Sequence, residues 1–102
     1  MTANDTPART VLVTGGSRGI GAATSLLCAQ QGWAVAVNYA SGAAAAAALV
    51  AQIRAAGGTA LAVQADVSDE AQVLAMFATL ARELPPLGAL VNNAGEIGRG
   101  HV

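Results

Sequence analysis

The chain of 102 residues contains no lysine, only one cysteine and only three aromatic residues. A single cysteine excludes an internal disulfide and a zinc site built from several cysteines. The net charge is −1, and the five arginines form no basic run, which argues against a nucleic-acid surface or a polybasic membrane patch. Residues 1–7 are polar, and no apolar run approaches the roughly 18 residues of a membrane span. We therefore expect a soluble protein of a reducing, cytoplasmic setting, with neither nucleic acid nor membrane as a partner.

The residues that are present describe a small packed domain. Apolar residues make up 54% of the chain and charged residues 11%, a balance that disfavours intrinsic disorder. Alanine occurs 26 times and glycine 12 times. Side chains this small allow helices to pack closely on a sheet. We interpret the lone Cys28 as a small apolar residue of the core rather than a reactive thiol.

Short β-branched segments alternate with helical stretches along the chain. The predicted strands are 10–14, 34–39, 59–65 and 89–92, and each of the first three is followed by a predicted helix. Such alternation with short loops predicts right-handed βαβ units and a parallel sheet. The predicted fold is α/β, a Rossmann-type doubly wound parallel sheet of order β-α-β-α-β-α-β that ends after the fourth strand. Its core is 10–95, between a polar leader (1–9) and an aperiodic tail (96–102).

The helical periodicity also predicts which residues face the sheet. The predicted buried face of the first helix consists of Ile20, Thr24, Leu27, Cys28 and Gln31. That of the second helix consists of Ala46, Leu49, Val50 and Ile53. That of the third helix consists of Val73, Met76, Phe77, Leu80 and Leu84. Ser68 is the predicted N-cap of the third helix.

A glycine-rich turn of spacing G-x-x-x-G-x-G joins the first strand to the first helix. Gly15 permits a sharp exit from the strand, while Gly19 and Gly21 lack the Cβ atoms that would keep a pyrophosphate or the sheet away. The unpaired N–H groups and the dipole at a helix N-terminus favour an anion there. Ser17 is a hydrogen-bond donor and Arg18 a positive charge beside it. The lysine of a G-x-x-x-x-G-K-[ST] loop is absent, which excludes that class of nucleotide site.

Three motifs in this order resemble the short-chain dehydrogenase/reductase family: the turn from Thr14 to Gly21, the pair Asp66-Val67, and Asn92-Asn93-Ala94-Gly95. The resemblance covers roughly residues 10–95 and implies a nicotinamide dinucleotide across the carboxyl ends of the strands. It implies that the glycine turn holds the pyrophosphate and that Asp66 bonds the adenine amino group, with the Val67 backbone beside it. It also implies that the Asn92–Gly95 segment steadies the sheet and lines the cofactor. The candidate cofactor-binding residues are Gly15, Ser17, Arg18, Gly19, Ile20, Gly21, Asn38, Tyr39, Ala40, Ser41, Asp66, Val67, Asn93, Ala94 and Gly95.

The end of the second strand indicates which dinucleotide is bound. NAD-binding proteins usually present a carboxylate there for the ribose hydroxyls, whereas an arginine accommodates the 2′-phosphate of NADP. The segment Asn38 to Ser41 has no acid, Arg18 lies in the adjacent turn, and Ser41 is a further donor. We therefore expect NADP rather than NAD. The missing acid also disfavours a Rossmann-type methyltransferase, which usually needs one for the ribose of S-adenosylmethionine.

The catalytic residues implied by the resemblance are absent from this sequence. The family's acid–base chemistry uses a serine, a tyrosine and a lysine, with Tyr-x-x-x-Lys on a helix after the fifth strand. The chain has no lysine, and its only tyrosine, Tyr39, belongs to the second strand. We interpret His101, in the aperiodic tail, as a solvated histidine rather than a general base. We therefore predict no catalytic residue here. The chain is expected to be the N-terminal, cofactor-binding portion of an oxidoreductase that acts on a carbonyl or secondary alcohol, and to be inactive alone.

A second interpretation belongs to a different functional class. A sheet that ends at the fourth strand leaves an apolar edge, and such edges pair with other chains or aggregate. The chain is then a non-catalytic dinucleotide-binding or interaction module that self-associates, or binds a partner, through that edge. Limited stability and solubility of the isolated chain follow from the same argument.

Overall fold

The computed structural model describes residues 7–93, in which strands and helices alternate strictly. The strands are β1 (Thr10–Thr14), β2 (Ala34–Tyr39), β3 (Ala60–Gln64) and β4 (Leu87–Asn92). The helices are α1 (Gly19–Gln30), α2 (Ala43–Ala55) and α3 (Glu70–Glu83). The predicted order of elements is confirmed. β4 begins two residues earlier than expected because it pairs with β1 from Leu87 onward.

The four strands form one parallel sheet in the order β3-β2-β1-β4. In this order the chain first moves outward from β1 to β3 and then crosses back to place β4 on the other side of β1. When every crossover is right-handed, crossovers that run in opposite directions across the sheet place their helices on opposite faces. Accordingly, α1 and α2 pack on one face and α3 packs on the other. The predicted Rossmann-type α/β fold is therefore confirmed.

The central strands are buried on both faces, as a parallel sheet requires. Val11 and Val13 of β1 belong to the core cluster on the face covered by α2. The four residues predicted for the buried face of α2 all belong to this cluster. Leu12 points to the opposite face and packs with Met76 and Leu80 of α3. The apolar run of β1 is thus divided between two small clusters.

The predicted buried face of α1 is wrong. Ile20 is 79% exposed and Leu27 56% exposed, whereas Gly21 and Ser25 are buried. The Ser25 hydroxyl donates to the Gly21 carbonyl at 2.9 Å. The helix lies so close to the glycine turn that only very small side chains fit at the contact, so counting large apolar residues selected the wrong face. Cys28 does pack against the core, and burial raises the pKa of its thiol.

Two expectations for α3 also need correction. Asp69, not Ser68, is the N-cap: its carboxylate accepts from the Ala71 and Gln72 amides at 3.0 and 3.3 Å. Phe77 is exposed rather than buried, because it lies beyond the edge of the cluster formed by Met76 and Leu80.

Some predictions fall on residues outside 7–93. These are most of the polar leader, Ala94 and Gly95 of the last motif, and the tail with His101. Within the described part of the chain, no helix is both long and apolar enough to cross a bilayer.

Candidate cofactor-binding site

The candidate site lies at the carboxyl ends of the strands. β1 and β4 end at Thr14 and Asn92, which are partners in the parallel register, and the described candidate cofactor-binding residues lie at or after the strand ends. The strand order reverses between these two strands, so the loops that leave them diverge to opposite faces. In open α/β sheets such a switch point forms the ligand-binding crevice.

The turn after β1 is a close contact between backbone segments. Gly15 and Gly19 have φ of 61° and 55°, a left-handed conformation that favours glycine. A Cβ on Gly21 would collide with the Gly15 carbonyl oxygen, and a Cβ on Gly16 would lie 2.8 Å from the Val13 carbonyl oxygen. Both positions therefore require glycine for room.

The three helices differ at their N-termini. The N-cap residues of α1 and α2, Arg18 and Gly42, make no side-chain capping bond, and neither helix has an acid in its first turn. By contrast, Asp69 caps α3 and Glu70 follows it. The positive ends of α1 and α2 therefore keep unpaired amides and an uncompensated dipole, which favour anions. That of α3 is already neutralised.

Arg18 lies across the start of α2. A Cβ built on Gly42 would be 2.6 Å from Arg18 Nη2 and 3.2 Å from its Cζ. The guanidinium group thus packs against the Gly42 backbone, next to the end of β2. No acid within residues 7–93 forms an ion pair with it. The structure therefore brings the arginine of the glycine turn to the strand end where the sequence lacks a carboxylate.

Asn38 is buried and ties the glycine turn to β3. Its side-chain oxygen accepts from the Gly15 N–H at 3.2 Å, and its carbonyl accepts from the Gly16 N–H at 2.9 Å. Its amide nitrogen donates to the Ala65 carbonyl at 3.1 Å. The Asn38 side chain thereby fixes the turn relative to the loop that begins after β3.

That loop carries Asp66 and Val67 at the surface. One oxygen of the Asp66 carboxylate accepts from both the N–H and the hydroxyl of Ser68, at 2.9 and 2.7 Å. These hydrogen bonds lower the pKa of Asp66 from its usual value. The carboxylate is therefore ionised at neutral pH, and no described residue bonds to its second oxygen. Val67, which is also exposed, follows it on the α3 side of the switch point.

The residues after β4 approach the glycine turn from the opposite side. The Asn93 N–H donates to the Thr14 hydroxyl oxygen at 3.0 Å, and that hydroxyl donates to the Asn92 side-chain oxygen at 2.8 Å. The Asn93 Nδ2 atom is buried and has no hydrogen-bond partner within residues 7–93; it lies near where a Gly21 Cβ would be. A buried donor of this kind is costly unless a ligand or water accepts from it. Together with the uncapped helix ends, it fits a site for a phosphorylated dinucleotide.

The remaining predicted residues that the structure describes also lie near the carboxyl ends of the strands. Tyr39 ends β2 half-buried, and Ala40 and Ser41 follow it at the surface. Ser17 is half-buried in the turn, and the Ile20 side chain points to solvent. Gly42, which contacts the Arg18 guanidinium, is not among the predicted residues; the signal for it in the sequence is a glycine directly after the acid-free segment Asn38 to Ser41.

Comparison with known proteins identifies the class. The family model described as short chain dehydrogenase matches residues 9–102, and the chain belongs to that family. It is 58% identical over 84 residues to the uncharacterised oxidoreductase YgfF of Escherichia coli K12, covering 82% of this chain and 34% of that protein. It is 49% identical over 88 residues to a 3-oxoacyl-[acyl-carrier-protein] reductase of Synechocystis, covering 86% and 36%.

A solved structure gives the same result. A dehydrogenase/reductase from Sinorhizobium meliloti superposes with a TM-score of 0.83 at 43% identity, over 87% of this chain and 35% of that chain. The chain thus spans about a third of the length of the relatives it matches. The predicted family membership is confirmed, and the family implies a nicotinamide dinucleotide as cofactor.

Proposed function

We propose that this chain binds NADP(H) and supplies the cofactor-binding portion of a short-chain oxidoreductase that acts on a carbonyl or secondary alcohol. The observation that carries the choice of NADP is Arg18, whose guanidinium packs on Gly42 at the end of β2. A cation at this position attracts the 2′-phosphate of NADP, and no carboxylate on Asn38 to Ser41 repels it.

The described residues divide the binding work along the dinucleotide. The N-terminus of α1 holds the pyrophosphate, and Asn93 Nδ2, which bonds to no acceptor within residues 7–93, donates near it. Asp66 accepts from the adenine amino group, and Ser41 adds a donor beside Arg18. The bound dinucleotide supplies the hydride chemistry. The Tyr-x-x-x-Lys pair is missing from the sequence, so we expect binding without turnover by this chain alone. The single cysteine excludes an internal disulfide, and we propose a cytoplasmic location.

The test compares NADPH with NADH on the wild-type chain and on Arg18→Ala, by titration followed through the dinucleotide's own fluorescence. Loss of a charge-assisted bond to phosphate should weaken NADPH binding roughly tenfold or more and leave NADH binding nearly unchanged. Arg82→Ala is the matched control, because Arg82 is exposed near the end of α3 and pairs only with its neighbour Glu83. Tighter binding of NADH by the wild type, or equal NADPH affinity in both arginine variants, would overturn the proposal.

A second candidate function is an interaction module that associates through β4. It is favoured by the apolar side chains that β4 exposes, Leu87 at 46% and Leu90 at 56%. Exposed strand edges of this composition invite pairing with another copy.

A further inference from the structure

We propose that Gly42 determines selectivity for the 2′-phosphate, because its missing side chain leaves the space in which the Arg18 guanidinium lies. The inference rests on the proposed NADP function and adds a residue to it. A Cβ on Gly42 would come within 2.6 Å of Arg18 Nη2, 3.2 Å of Cζ and 3.6 Å of Nε. Three atoms of the guanidinium group therefore lie within 4 Å of the position that a Cβ would occupy.

Gly42 is the fixed partner in this contact. It has φ of 86° and ψ of 47° as the N-cap of α2, and its carbonyl accepts from the Ala46 N–H at 3.2 Å. Ala46 is fully buried in the core. The start of α2 is thereby anchored, whereas the guanidinium is the free end of an exposed side chain. A side chain at position 42 would move Arg18 and not the helix.

Displacement of Arg18 would separate the charge from the other features that favour an anion here. These are the uncapped first turn of α2 and the acid-free end of β2. A Cβ at position 42 would thus exclude the guanidinium from the space beside α2 in which we place the 2′-phosphate.

The experiment uses two mononucleotide probes, adenosine 2′,5′-bisphosphate (2′,5′-ADP) and adenosine 5′-monophosphate (5′-AMP), which differ only in the 2′-phosphate. Their affinities are measured by isothermal titration calorimetry for the wild type, Gly42→Ala and Gly57→Ala. Gly57 is the matched control: its φ is 93°, so alanine there carries similar backbone strain, but a Cβ would meet nothing within 4 Å. We expect Gly42→Ala to weaken 2′,5′-ADP binding roughly tenfold while 5′-AMP binding stays unchanged. Gly57→Ala should preserve the ratio of the two affinities, even where melting shows the same loss of stability.

A double variant separates the two proposals. If Gly42 acts through the arginine, Gly42→Ala added to Arg18→Ala should cause no further loss of preference for 2′,5′-ADP. A wild type without this preference would refute the NADP proposal itself. A wild type with the preference, retained in Gly42→Ala, would refute the role of Gly42 and leave the NADP proposal standing. Equal loss in Gly57→Ala would also refute it, since the effect would then come from strain.

Discussion

At the scale of single residues, Asn38 does the most to organise the candidate site. Its carboxamide is buried at the end of β2, accepting from Gly15 and donating to Ala65. An aspartate here would place an oxygen against the Ala65 carbonyl, and an apolar residue would leave both backbone groups without partners. The side chain thus serves the candidate site by positioning its two loops.

Asn38→Ala should reduce the free energy of unfolding by about 3 kcal/mol, because a buried N–H and a buried carbonyl lose their partner. Urea unfolding measures this change. Thr79→Ala is the control, since the Thr79 hydroxyl bonds only to Ala75 on the exposed side of α3, and it should change the free energy by less than about 0.5 kcal/mol. Similar values for the two variants would show that the Asn38 contacts contribute nothing to stability.

At the scale of elements, the helices differ in whether their own side chains cap their N-termini. α3 begins with Asp69 and Glu70, which satisfy its first amides and compensate its dipole. α1 and α2 begin without such side chains. The chain therefore leaves open those N-termini that flank the glycine turn and the end of β2.

Asp69→Ala should lower the free energy of unfolding by about 1 kcal/mol, the usual cost of losing an N-cap. Ser68→Ala tests the alternative cap expected from the sequence and should cost less, because Ser68 bonds only to Asp66 within the described loop. Thermal or urea unfolding of the two variants at neutral pH distinguishes them. A larger loss for Ser68→Ala would contradict the observed cap.

The sequence predicted the elements of this fold well and their faces unevenly. β-branched runs and glycine punctuation located β1 and β2 to the residue, because local preference and burial agree there. The face of α1 was mispredicted because its contact with the turn is made by Gly21 and Ser25, which carry no apolar signal. The contact of Arg18 with Gly42 joins residues 24 positions apart and depends on a helix start that only the folded chain defines.

At the scale of the whole molecule, the two faces of the sheet are covered unequally. α1 and α2 cover β1, β2 and β3 on one side, whereas α3 alone packs on the other. A groove on the α3 face is lined by Phe77 and Leu90, both exposed, and extends to Thr14, Val67 and Asn92 at the candidate site. This surface and β4 together form the region through which we expect the chain to associate.

Leu90→Glu should abolish self-association of the chain, because a charge on β4 opposes both edge pairing and burial of the groove. Sedimentation velocity over a range of concentrations measures the effect. Leu74→Glu is the control, since Leu74 is 62% exposed on α3 and does not line the groove, and it should associate like the wild type. A monomeric wild type, or equal behaviour of the two variants, would contradict the assignment of this surface.

The fluorescence of Trp33 is an optical signal separate from that of the dinucleotide. It is the only tryptophan, and it precedes β2 at the amino edge of the sheet, where a Cβ on Gly88 would lie 3.1 Å from its ring. The candidate site lies at the carboxyl ends of the strands, about 17–20 Å away along a strand of this length. A dinucleotide bound there cannot contact the indole, so the wavelength of Trp33 emission reports the folding of the amino edge. A variant that loses the cofactor signal while its tryptophan spectrum stays native has lost the site and kept the fold.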